Sequence, residues 1–278
     1  MKQIVNKFTV LVTSMLFAQA AFANEPWSQD RQWLLGDWNG NRQQLEQQGY
    51  KFNVSFINES AANLDGGYND DSEILHASQL TLGTQLDLEK IAGWNDTQAS
   101  ISVTKRDGQS LSAERISDPR AGQFSSVQEI YGRGQSWRLT QAWIKKGFLD
   151  KTLQFKIGRM GLSEDFNGSH CEFQNLMLCG GQLGKTVGSI WYNGPVSQWG
   201  LNVKYQFAPE WSIAAGIYEI NPENSLENRG FNLTMDETEG ALIPVELAWK
   251  PKLDVFNGLS GEYKIGAFYA TADASDVK

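Results

Sequence analysis

The chain lacks any apolar run of the roughly 20 residues that a membrane-spanning helix needs. Its longest apolar stretch, Phe8 through Phe22, is interrupted by Thr9, Thr13, Ser14 and Gln19. Basic residues are also short: 24 Lys and Arg face 32 Asp and Glu, a net charge of −8. Phosphate binding needs clustered Lys and Arg, so a nucleic-acid partner is not expected. Only two histidines occur, His76 and His170, far apart in sequence. Asp70-Asp71 and Glu164-Asp165 are adjacent loop acids of the solvated kind rather than a catalytic pair. Gly184-Lys185-Thr186 carries the end of a phosphate loop, but Cys179 stands where its first glycine belongs. No nucleophile–base constellation emerges, so neither an enzyme nor a cofactor is expected.

Cysteine is scarce as well, with Cys171 and Cys179 alone. In an exported chain a close pair reads as a local disulfide, worth roughly 2–3 kcal/mol for so short a loop. A metal site is the weaker alternative, since His170 is the one adjacent histidine and no second ligand pair completes it.

Export is indicated by the first residues. Lys2 and Lys7 precede the apolar stretch, and Ala21-Phe22-Ala23 follows it, which is the pattern of a signal peptide over 1–23. Removing it would take two lysines away and leave a net charge of about −10. The segment 24–50 is expected to be periplasmic and to hold one short helix over 36–49, with Asp37 as its cap and Gly49 just past its end.

From Lys51 onward the hydrophobic period becomes two. Trp199, Leu201, Val203, Tyr205 and Phe207 alternate with Gln198, Gly200, Asn202, Lys204 and Gln206. Such a strand has an oily face and a wet face. The same alternation predicts strands near 51–62, 74–90, 97–107, 134–148, 151–160, 196–207, 210–220, 241–252 and 259–272. Many of these exceed the five or six residues usual in soluble sheets and suit the roughly 9–11 of a membrane strand. Their connections alternate between short turns and long loops, notably 108–133, 161–195 and 221–240, as in outer-membrane barrels. Ten Trp fit the aromatic girdles of such barrels. The fold expected is therefore all-β, a transmembrane antiparallel barrel with about nine strands present over 51–278. An odd strand count and an end at Asp276-Val277-Lys278 suggest the N-terminal part of a longer barrel.

Five segments carry a resemblance to a known family: GDWNGNRQQLEQQGY at 36–50, DPRAGQFSSVQEIYGRGQSWRLTQAWI at 118–144, EDFNGSHCEFQNLMLCGGQLG at 164–184, WYNGPVSQWGLNVKY at 191–205 and ALIPVELAWKPK at 241–252. The chain resembles the OprB-type carbohydrate-selective porins. That resemblance implies a monomeric barrel of about sixteen strands in the outer membrane of a Gram-negative bacterium, set in lipid and lipopolysaccharide, passing glucose-like small sugars by diffusion. A non-conducting carbohydrate-binding surface or periplasmic protein is the alternative that a shortened chain keeps open.

Candidate pathway residues follow. Arg106 falls on the polar phase of Ser100, Ser102 and Thr104, and the resemblance implies an arginine-lined constriction. Arg supplies a planar set of donors to sugar hydroxyls. The 161–195 loop offers Glu164, Asp165 and Phe166, which reach the lumen if it folds inward.

Overall fold

The structure, a computed structural model, describes residue 33 and residues 36–121, 126–169, 173–253 and 258–273. The expected signal peptide at 1–23, and His170 and Cys171, lie outside the described residues. The chain divides into two compact units, residues 1–51 and 52–278. In the first, helix α1 spans Asn41–Gln47, shorter than the 36–49 expected. Gly40, in the left-handed region, occupies the N-cap without a side-chain bond, so Asp37 does not cap this helix through its carboxylate. The guanidinium of Arg42 lies 4.1 Å from the Trp33 ring and 4.8 Å from Trp38, a double cation–π contact that fixes the helix start.

The second unit is a sheet. Strands β1 (Tyr50–Asn63), β2 (Glu73–Asp87), β3 (Thr97–Gly108), β4 (Trp137–Phe148), β5 (Leu153–Met160), β6 (Gln198–Ala208), β7 (Trp211–Ile220) and β8 (Gly240–Trp249) follow one another in a meander. A short ribbon of β9 (Lys252–Leu253) and β10 (Leu259–Ser260) precedes β11 (Tyr263–Ala270), which pairs with β8 as the ninth strand of the sheet. The expected strands 241–252 and 259–272 are thus each cut short: Pro251 has no amide to continue the ladder, and its carbonyl accepts from Gly261 N instead. Another difference lies after β2. Asp87 accepts from Lys90 N, Gly93 closes in the left-handed region, and Leu88–Ala92 between them forms helix α2 instead of extending the strand. Among the described residues no helix is long and apolar enough to cross a membrane.

Pairing places the alternating faces in rows. Ala99, Ile144, Ile157, Leu201 and Ile217 stand side by side across five strands. Nearer the short turns, Leu153, Tyr205, Ile213, Leu247 and Ile265 form a parallel row. These apolar side chains are exposed or half-exposed, Ile157 at 53% and Ile265 at 72%. At the short-turn end Phe207, Trp211, Trp249 and Tyr263 stack successively, the Trp211 and Trp249 rings 5.5 Å apart and 16° from parallel. On the opposite face Ser100, Ser102, Thr104, Lys156 and Asn202 are buried. Oil outside and polar groups inside is the inverse of a water-soluble sheet and suits a wall between lipid and a wet lumen.

The expected outcome of Ile157→Arg, mid-belt on the outer face, is a loss of about 2–4 kcal/mol in urea unfolding of the full-length protein from lipid vesicles. Gln85→Lys on the inner phase should leave the same midpoint nearly unchanged.

Candidate functional site

The inner face is covered in part by the segment joining β5 to β6. Leu162–Glu164 makes one 3-10 turn, braced as Glu164 Oε1 accepts from Gly161 N at 3.2 Å. Leu162 N donates to Tyr192 O, closing the loop base. Met160, Leu162, Phe166 and Trp191 then pack with Tyr218, Ile220 and Leu242 of β7 and β8, while Trp191 meets Phe268 of β11 at 5.6 Å. Polar contacts add to this docking: Asn167 N donates to Glu246 Oε2 at 2.7 Å, and Leu183 N to Asn167 Oδ1 at 3.0 Å. The loop therefore lies on the polar inner wall and carries its own small core there.

The wall makes room for it. Along one inner row stand Trp143, Gly158, Gly200 and Tyr218. A Cβ on Gly200 would lie 2.4 Å from the Tyr218 ring, and one on Gly216 would lie 2.6 Å from that ring and 3.2 Å from Phe166. Glycine at both positions lets Tyr218 lie down on the sheet, and Phe166 meets it edge-on at 6.0 Å.

Glu164 and Asp165 are brought together on one cation. Lys156 Nζ lies 3.3 Å from Glu164 Oε2 and 2.9 Å from Asp165 Oδ2, and Tyr218 Oη donates to Asp165 at 3.3 Å. Burial pushes the Glu164 carboxyl above its ordinary 4.5, with Lys156 opposing. Below them is a recess of ≈ 330 Å³. Its wall carries Lys145, Lys156, Lys204, Lys250 and Lys264 against Glu164, Asp165, Glu246 and Glu262. Phe166, offered by the sequence as a pathway residue, is 1% exposed and serves as the loop's anchor, with no face on the lumen.

Arg106 belongs to a separate cluster at the long-loop end. Its Nε donates to Gln79 Oε1 at 2.8 Å across the β2–β3 pair. Around it lie the charges of Glu129, Arg133, Glu59 and Arg138. The β3–β4 loop is held there by Gln128, which accepts from Leu111 N at 2.7 Å and donates to Gln109 O at 3.0 Å, while Glu59 accepts from Ile130 N. Burial, then the like charge of Glu59, raises the Glu129 carboxyl above its usual range, against Arg106. Arg138 is spent on structure: it donates to the carbonyls of Arg133, Asn224, Ser225 and Leu226 and so pins the 221–239 loop over β4. Arg159 and Glu219 form a buried pair at 3.4 Å under the same loop, where Asn221, Asn224 and Thr238 also donate to Glu219.

The sequence reading missed these partners. Arg138 and Lys156 sit on the inward phase of their strands and were open to the argument used for Arg106; Arg133, in a loop, carried no periodic signal. Lys185 of the failed phosphate-loop motif donates to the carbonyl of Cys179 and so holds its own loop. Cys179 is disulfide-bonded; its expected partner, Cys171, lies outside the described residues. Among the described residues no cluster of three or more His, Cys, Asp or Glu is arranged to hold a metal ion.

An antiparallel meander with a lipid-type outer belt, a charged inner face and a loop folded onto that face has the architecture of a β-barrel porin wall. The family model for carbohydrate-selective porins of the OprB family matches residues 72–278, and the chain belongs to that family. It is 64% identical over 98% of its length to "Putative porin QuiX" of Acinetobacter baylyi, covering 62% of that protein. It is 52% identical over 93% of its length to Porin B of Pseudomonas aeruginosa, covering 57%. The fold matches a high-pH structure of Pseudomonas putida OprB with a TM-score of 0.86 at 51% identity, over 89% of this chain and 58% of that one. The chain thus spans about three fifths of the length of the curated relatives it matches.

The pH dependence of Glu164 has a defined sign. With its pKa raised in the fold, its contribution to stability is full below 4.5 and is lost as pH rises through the raised value. Thermal unfolding should therefore show a shallower pH dependence in Glu164→Gln than in the wild type from pH 4.5 up through neutrality. Identical slopes would refute the assignment.

Proposed function

We propose that this chain forms the N-terminal part of the wall of an outer-membrane channel that passes glucose-like small sugars by passive diffusion. The observation that carries this reading is the reversal of faces, with an apolar belt outside and buried polar side chains inside. In this reading residues 1–23 direct export, the belt meets lipid and lipopolysaccharide, and the barrel works as a monomer. The long loops lie on the extracellular side, and the 161–195 loop, stapled by Cys171 and Cys179, narrows the lumen from within. Neutral sugars need many weak polar partners and no strong single site. The half-buried Thr81 and Thr140, linked through Thr104 at 3.2 and 2.7 Å, and Gln141, braced by Ser100 at 3.0 Å, offer such a surface.

Arg106 is the proposed selectivity residue, with Glu164 and Asp165 bordering the path below it. A hydrogen bond of this kind is worth about 0.5–1.5 kcal/mol net. Arg106→Ala in the full-length protein should therefore reduce discrimination between sugars about two- to tenfold in liposome swelling, with the heat-shifted band of the folded barrel kept. Unchanged discrimination would remove Arg106 from the path. Absence of conductance by the wild type in planar bilayers would favour a non-conducting carbohydrate-binding protein instead.

A further inference from the structure

The charges of the inner recess are almost all accounted for. Lys156 is held by two carboxylates, Lys250 by Glu262 at 2.8 Å, and Lys264 by Glu262 at 3.4 Å and Gly168 O at 2.8 Å. Glu246 accepts from Asn167 N. Two ammonium groups remain. Among the described residues neither Lys145 nor Lys204 has an ion pair or hydrogen bond at Nζ, although both border the recess.

Their placement is unfavourable in isolation. Lys145 stands directly opposite Lys156 across the β4–β5 pair, and Lys204 stands opposite Gln154, one step along the inner phase of β5 from Lys156. Like charges set directly across a strand pair destabilise a sheet. Glu164 and Asp165 both bond to the Lys156 Nζ, and the charge of Asp165 reaches Lys145 as well but without a bond to it. The recess carries five lysines against four carboxylates, an excess of positive charge within a chain of net charge −8. Trp143 borders the same space, its ring facing the ammonium groups of Lys156 at 4.8 Å and Lys145 at 5.8 Å, a contact that supplies no counter-charge.

We propose that Lys145 and Lys204 form a carboxylate-binding station on the sugar path, selecting acidic sugars such as uronates and aldonates alongside neutral ones. The station rests on the reading of this sheet as a channel wall. An acidic sugar supplies the missing counter-charge to the two lysines and presents its hydroxyls to Gln154 and Asn202, which line the same recess. Ion pairs in so wet a setting are individually weak, which favours passage over retention.

The test uses the full-length protein in liposomes, with labelled D-glucuronate and D-glucose supplied together below saturation. In the wild type the glucuronate-to-glucose flux ratio should exceed that of Lys145→Gln/Lys204→Gln by about fivefold, and Lys145→Arg/Lys204→Arg should restore it. Raising salt to the range where screening acts within about 3 Å should flatten the wild-type preference without any variant. An unchanged ratio in the glutamine variant with glucose flux intact would overturn the station but leave the channel reading standing. Equal loss of both fluxes in a folded, heat-shifted variant would also overturn it. A wild type that passes neither sugar would overturn both. Should the double variant fail to fold, Lys204→Gln alone decides, because that exposed side chain has no ion pair or hydrogen bond among the described residues to lose.

Discussion

In the interior of a bilayer no water is present to satisfy a backbone amide or carbonyl, and each group left unpaired costs several kcal/mol. A strand that crosses must therefore be laddered on both sides. The unbroken antiparallel pairing from β2 through β8 to β11 answers that constraint, and much else follows from it. Because a strand's side chains alternate strictly, a ladder with lipid on one side forces every second residue to be apolar and frees the others for the lumen. The same pairing aligns Ala99, Ile144, Ile157, Leu201 and Ile217 into one belt, and it also brings Lys145 face to face with Lys156. Hydrophobic sorting and lumen electrostatics are two results of one register.

That period made most of the sheet legible from sequence. Trp199 to Phe207 announced its two faces because each residue on one phase is apolar and each on the other is polar or glycine. Arg106 was placed on the inner phase by counting, and it does bond across to Gln79 on the same face. Helix α2 was illegible because Leu86 and Leu88 continue the alternation, while the decisive event is local: the Asp87 carboxylate accepting from Lys90 N. Phe166 was misjudged because an aromatic residue in a loop can stack on sugar or fill a core. The choice was made by Tyr218 and the bare backbone of Gly216, some fifty residues away in sequence, and no local pattern reports such a pairing. Arg133 and Glu129 gave no signal for the same reason.

The inner wall is chemically divided. Near Arg106 the partners are arginines and buried carboxylates from three different segments, so the charges are held by the β3–β4 loop and Glu59 together. Between β2 and β4 the wall is hydroxyl and amide. Toward the short turns it becomes a mosaic of lysines and acids. Each zone arises from inward-phase residues of neighbouring strands. The inner face is thereby graded along its length without any element having to move.

The glycines under Tyr218 reach beyond packing. Because the 161–195 loop rests on a hollow made by Gly200 and Gly216, its shape is written partly in the wall. The loop is not a free-standing module. Transplanted onto a barrel whose wall bears larger side chains at those positions, it would ride high and change the bore. In such proteins loop and wall must be inherited, and engineered, as one unit.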